Sequence, residues 1–134
     1  MICPITTTSY LLGTTFIGLG AFGLASPAQA QLTFGVRPSS PSAAAAGNPE
    51  TQAFIYSKAG RDLAFGALLV LFQYRRNKPG VTTVMGLAAF AGFVDGLAVY
   101  KFAPPDLRPK VWGHCIGASL ILAVAVVRYR ARLW

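Results

Sequence analysis

The 134-residue chain is short of acidic side chains, of cysteine and of histidine. It has four Asp and Glu against twelve Lys and Arg, and charged residues of both signs make up only 12% of the sequence. Its two cysteines, Cys3 and Cys115, show no metal-ligand spacing, and its one histidine is His114. These shortages argue against a disulfide framework, a metal site and an ordinary soluble domain. We therefore expect no metal and no other cofactor.

Hydrophobic residues are abundant instead, at 54% of the chain, and the formal net charge is +8. The basic residues stand in short groups beside apolar runs, as Arg75 and Arg76 do, and this placement is typical of juxtamembrane anchoring. No basic helix face or aromatic-interleaved basic strand is present, so nucleic acid is not an expected partner. The composition predicts an integral, multi-pass membrane protein surrounded by lipid, and we expect it in the endoplasmic reticulum.

Four apolar runs are each about as long as a helix that crosses a bilayer core of roughly 30 Å. They predict an all-α fold, a four-helix transmembrane bundle formed by a single domain over residues 1–134. Pro27 is expected to end the first helix, and Pro79-Gly80 is expected to form a turn before the third. The predicted helices cover about 9–26, 49–74, 81–102 and 111–128, with a flexible, low-complexity loop at 31–48.

The first apolar run has a second interpretation as a cleaved signal peptide. Its length suits a signal-peptide core, and Ala28-Gln29-Ala30 has the small-x-small form of a cleavage site. However, no Lys or Arg precedes the run, and Gly13 and Gly20 suit close helix packing inside a membrane. A retained first helix is the preferred interpretation.

Four polar residues interrupt the other apolar runs: Arg61 and Asp62 in the second helix, Asp95 in the third and His114 in the fourth. With a rise of about 1.5 Å per residue, all four fall in the same half of the membrane, within roughly 10 Å of depth. A charged side chain in hydrocarbon costs a few kcal/mol or more, and such residues usually face the bundle interior and seek one another. We expect them to form one site.

The candidate catalytic residues are therefore Asp95, Asp62, Arg61 and His114. An arginine beside two carboxyls would keep one ionised, and a dry pocket would favour the protonated form of the other, so that the pair supplies a base and an acid. Asp95 is the preferred chemical residue, and the order of base and acid stays open. The alternative is that the Arg–Asp pair only holds the bundle in register.

Short elements spread over the chain carry a family resemblance. They are residues 20–27 followed by 34–36, then Gly60-Arg61-Asp62 within 58–66, Asp95-Gly96 within 94–96, and residues 113–114. In this order they resemble an uncharacterised family of small four-helix membrane domains found in fungi and bacteria. The resemblance favours a retained first helix.

Some fungal membrane proteins that look similar are encoded beside polyketide synthases and are assigned to epoxide opening by hydrolysis or intramolecular cyclisation. The resemblance thus implies an enzyme of secondary-metabolite biosynthesis that acts on a lipophilic small molecule. A second hypothesis is a non-catalytic accessory or transport-associated membrane protein. A third is a homodimer that pairs through Gly92 and Gly96 or through Gly113 and Gly117.

Overall fold

The computed structural model describes residues 4–37 and 49–130, and these residues are almost entirely helical. A short 3-10 helix, Arg108–Lys110, precedes the last α-helix. The five α-helices of the described residues are α1 Pro4–Ala25, α2 Pro27–Phe34, α3 Pro49–Tyr74, α4 Lys78–Phe102 and α5 Val111–Arg130. The predicted all-α class is confirmed, whereas the predicted count of four helices omits α2.

Among the described residues, three helical segments are long and apolar enough to cross a membrane, namely Thr6–Ala25, Lys78–Phe102 and Arg108–Arg130. Large apolar side chains also point outward, as do Leu11, Phe90 and Leu120, which are each more than 60% exposed. An apolar outer surface of this kind suits lipid, and the chain is a membrane protein. The predicted fourth crossing, α3, is not among these segments, and it carries Lys58, Arg61 and Asp62 near its middle.

The charged helix α3 lies at the centre of the fold, where it packs against α1, α2 and α4, while α4 also packs against α5. Glycines allow α1 and α3 to approach closely. A Cβ atom at Gly20 would lie 2.7 Å from the Ala59 carbonyl oxygen and 2.9 Å from the Leu63 amide nitrogen. Gly13 faces Gly66 in the same interface. The expected role of Gly13 and Gly20 in close helix packing is thereby confirmed.

The short helix α2 lies where the start of the flexible loop is predicted. Pro27 begins a new helix here because proline is well accommodated at the first helical position, where no backbone N–H is required. Gly35, with φ of 110°, ends the helix in the left-handed conformation that glycine adopts readily. Gln31 and Phe34 are only 3% and 4% exposed, so the predicted loop is wrong for its first residues. The rest of that prediction, residues 38–48, lies outside the described residues.

The beginning of α4 also differs from prediction, because the helix includes Pro79 and Gly80 in its first turn. Asn77 is the N-cap, and its side-chain oxygen accepts a hydrogen bond from the Gly80 amide at 3.0 Å. Proline at a helix start needs no intrahelical donor, so Pro79-Gly80 starts the helix here and does not form a separate turn. Helix α1 likewise begins at Pro4, five residues before the predicted start.

Candidate functional site

Four charged side chains meet where α3 and α4 pack together. Lys58, Arg61 and Asp62 are on α3 at spacings of three and four residues, which bring side chains to one face of a helix. Asp95 reaches them from α4. The carboxylates are the more deeply buried members, with side-chain exposures of 4% for Asp62 and 11% for Asp95. We refer to Lys58, Arg61, Asp62 and Asp95 as the charge cluster.

Arg61 holds Asp95 through a bidentate ion pair. Its Nη1 donates to Asp95 Oδ1 at 2.9 Å and its Nη2 donates to Asp95 Oδ2 at 2.7 Å. Arg61 Nη2 also lies 3.2 Å from Asp62 Oδ1. The planar guanidinium matches a carboxylate in this two-bond geometry, which fixes the orientation of both groups.

Lys58 completes the charge cluster. Its Nζ donates to Asp62 Oδ2 at 2.5 Å and lies 3.9 Å from Asp95 Oδ2. Each of the four carboxylate oxygens therefore accepts an N–H bond from Lys58 or Arg61. This is the hydrogen-bonding pattern of two ionised carboxylates, since a protonated carboxyl would use one oxygen as a donor. The sequence predicts one protonated carboxyl, but in each of these bonds the donor is an N–H group of Lys58 or Arg61.

All four members of the charge cluster line a cavity of about 280 Å³. The other walls are largely apolar and come chiefly from α1 and α5. They include Leu12, Phe16, Leu19, Phe22, Phe65, Gly113, Gly117 and Ile121. An apolar pocket with a few convergent polar groups is the usual form of a small-molecule site. The cavity suits a lipophilic molecule that carries one polar reacting group.

His114 lines the same cavity but does not join the charge cluster. Its Nε2 lies 3.0 Å from the Phe34 carbonyl oxygen, and its ring packs edge-on against the Phe34 ring with centroids 4.9 Å apart. A carbonyl oxygen can only accept, so Nε2 is the nitrogen that carries hydrogen. The structure thus brings together three of the four predicted site residues, Arg61, Asp62 and Asp95, and places His114 on another wall.

Two residues of the site were not identified from the sequence. Lys58 was not among the predicted site residues, although its spacing of four residues from Asp62 is that of a helical ion pair. Phe34 of α2 packs over Lys58, with the ammonium nitrogen 5.4 Å from the ring centroid. Its burial carries no comparable signal in the sequence, because it depends on the unexpected helix α2.

The glycines expected to support a dimer have different surroundings. A Cβ at Gly92 would lie 3.0 Å from the Ala118 Cβ, and a Cβ at Gly96 would lie 3.1 Å from the Cys115 Sγ, so both glycines face α5 of the same chain. At Gly113 and Gly117 an added Cβ would meet nothing within 4 Å, and both residues line the cavity. The homodimer stays a prediction.

A protein-family model described as Domain of unknown function (DUF4267) matches residues 13–128. The matched range contains the whole charge cluster, His114 and Phe34. Neither the curated proteins nor the solved structures provide a match to the chain.

Proposed function

Because the chain belongs to the DUF4267 family, whose description assigns no activity, we propose its function from the site: it is a membrane enzyme that opens an epoxide on a lipophilic molecule. The observation that carries the proposal is the carboxylate of Asp95, which Arg61 holds in a fixed orientation at the wall of a largely apolar cavity. Epoxide opening needs a base that activates a hydroxyl and an acid that protonates the leaving oxygen.

Asp95 is the proposed base. It is the more accessible carboxylate, at 11% side-chain exposure against 4% for Asp62, and a carboxylate oxygen that accepts one bond keeps capacity for another. It removes a proton from water, whose oxygen forms a bond to an epoxide carbon while the carbon–oxygen bond of the ring breaks. A hydroxyl of the substrate in place of water gives cyclisation. His114 is proposed as an auxiliary group that contacts the substrate from the other wall.

The substrate is proposed to be uncharged and lipophilic. The cavity walls are largely apolar, and the charge cluster has two cations and two carboxylates, so it offers no net charge to attract an ionic ligand. The three segments of the described residues that are suited to crossing a membrane support access of molecules dissolved in lipid. A polyketide epoxide in the endoplasmic reticulum membrane is the proposed natural context, and it rests on the resemblance to fungal membrane proteins.

The test is turnover of a panel of lipophilic epoxides, alkyl, aryl and hydroxyl-bearing, by the purified protein in lipid nanodiscs. Diols and cyclic ethers are measured by mass spectrometry. We expect Asp95→Asn, which is nearly isosteric, to lower turnover by about 100-fold or more. Asp106→Asn is the matched control, because Asp106 is 53% exposed and pairs with Arg37 away from the cavity. Unchanged turnover in Asp95→Asn would show that Asp95 is not the base.

A second candidate is a non-catalytic accessory protein, and the complete pairing of the charge cluster favours it. Arg61 joins Asp95 of α4 to Asp62 of α3, so the same bonds can hold two helices in register. This candidate predicts that the wild type opens no epoxide of the panel. It also predicts that Asp95→Asn and Arg61→Gln reduce only the amount of protein that accumulates in membranes.

A further inference from the structure

The charge cluster contains an ammonium group, that of Lys58, which lines the cavity beside both carboxylates. We propose that Lys58 is the acid of the site: it donates the proton that the epoxide oxygen receives when the ring opens. This inference rests on the proposed epoxide opening and replaces the expectation that a second carboxyl is the acid. Lys58 would then be a catalytic residue, and Asp62 would be the residue that positions it.

The other groups that face the cavity are poor proton donors. All four oxygens of Asp62 and Asp95 accept N–H bonds, and the guanidinium of Arg61 does not release its proton in proteins. The Nε2–H of His114 is directed to the Phe34 carbonyl oxygen. Within the described part of the chain, no tyrosine or cysteine lines the cavity. The ammonium of Lys58 is therefore the group that we assign as the proton donor.

Lys58 is held in place by two different contacts. Its Nζ donates a hydrogen bond at 2.5 Å to Asp62 Oδ2, one turn further along α3, and lies over the ring of Phe34 at 5.4 Å from the centroid. The side chain is 19% exposed, so most of its length is packed. An ammonium has three N–H donors and Asp62 accepts one of them, so another can be directed at a substrate oxygen without rearrangement of the helices.

The proposed proton transfers also form a closed cycle. Asp95 takes a proton from water, the water oxygen bonds to one epoxide carbon, and the electron pair of the broken carbon–oxygen bond goes to the ring oxygen. Lys58 gives that oxygen its proton. A solvent water then relays the proton from Asp95 to the neutral amine of Lys58, because the 3.9 Å between Nζ and Asp95 Oδ2 is too long for direct transfer. In total, one epoxide and one water give one diol, and Asp95 and Lys58 regain their initial protonation.

The experiment uses the epoxide of the panel that the wild type turns over fastest. We expect Lys58→Ala to lower turnover by about 100-fold. Methylamine, ethylamine and fluoroethylamine, added as small replacements for the missing ammonium, should restore part of the activity in the order of their acidity. A residue with only a structural role would not produce this dependence. Lys101→Ala, at an exposed lysine of α4, is the matched control and should keep wild-type turnover.

Lys58→Arg separates charge from proton donation, since arginine preserves a cation for Asp62 but does not release a proton. We expect Lys58→Arg to keep the wild-type unfolding temperature and to lose turnover. This variant therefore tests proton donation by Lys58 even if Lys58→Ala does not accumulate. Wild-type turnover in Lys58→Arg, or a Lys58→Ala protein on which no amine acts, would overturn the inference. If Asp95→Asn is inactive in the same assay, the proposed function survives that outcome. If the wild type opens no epoxide, the proposed function itself is wrong.

Discussion

Two groups of buried polar side chains lie about 20 Å apart along α4, by the rise of 1.5 Å per residue between Thr82 and Asp95. The charge cluster has two cations and two carboxylates and lines the cavity. At the other end Arg128, only 3% exposed, donates to Ser9 Oγ at 3.2 Å and to Thr82 Oγ1 at 3.4 Å. None of these three residues is part of the cavity wall.

The comparison distinguishes a buried charge that joins helices from buried charges that also line a cavity. Arg128 joins α5 to α1 and α4 through hydroxyl groups, and no cavity is needed for that. The charge cluster also joins helices, but it does so beside about 280 Å³ of open space with apolar walls. Because Arg128 joins helices without a cavity beside it, the space at the charge cluster requires another explanation, and the proposed substrate binding provides one.

The largest effect on stability is expected from Arg61→Met. This change leaves Asp62 and Asp95 with Lys58 as their only cation in the cluster, and breaking a buried ion pair by removing one partner costs about 3 to 5 kcal/mol. Since Arg61 is 31% exposed, we expect the lower end of that range. The measurement is the free energy of unfolding in mixed micelles by denaturant titration.

The double variant Arg61→Met with Asp95→Leu restores balanced charge, with one cation and one carboxylate. We expect it to recover at least half of the lost stability, because no carboxylate is then left without a cation. Simple addition of the two single effects would show that Arg61 and Asp95 do not act as a pair. Turnover should stay low in the double variant, since the proposed base is absent.

A smaller loss is expected from Arg128→Met, at about 2 kcal/mol, because hydrogen bonds from a charged donor are lost while side-chain volume is roughly kept. Turnover per folded molecule should equal that of the wild type. This is the sharpest contrast with Arg61→Met in the charge cluster, which should lower both stability and turnover. A fall in turnover of folded Arg128→Met protein would show that the two clusters do not differ in the proposed way.

Much of the fold and part of the site were predictable from the sequence. Apolar runs of bilayer length located four of the five helices, and depth matching along them brought Arg61, Asp62 and Asp95 to a common level. Helix α2 was not predictable, because its eight residues, which begin with Pro27, are too few to show an apolar period, and its burial depends on tertiary packing of Phe34. The contact of Lys58 with the two carboxylates was not predicted, because Lys58 precedes the apolar run of its helix.

Glycine substitutions test the packing around the charge cluster. Gly20→Ala should cost about 1 to 3 kcal/mol, because its Cβ would lie 2.7 Å from a carbonyl oxygen of α3 and the backbone must move. Gly18→Ala is the matched control in the same helix, since a Cβ there meets nothing within 4 Å. Both are measured as changes in the free energy of unfolding. Equal losses for the two variants would contradict the close α1–α3 contact.

The smallest effect on stability, and one of opposite sign, is expected on the other side of the cavity. Gly117→Leu adds a side chain where a Cβ meets nothing within 4 Å, and replacing a helical glycine removes freedom from the unfolded chain, so stability should rise by about 0.5 to 1 kcal/mol. The new side chain nevertheless occupies the space proposed for the substrate, and kcat/KM should fall about 10-fold or more.

Gly18→Leu is the matched control for Gly117→Leu, because Gly18 is equally open but lies outside the cavity wall. It should gain comparable stability and keep the wild-type kcat/KM. A Gly117→Leu protein that is both stable and fully active would mean that the substrate does not occupy the space between α1 and α5. The charge cluster would then join helices as Arg128 and its hydroxyl partners do, because the space beside it would take no part in the reaction.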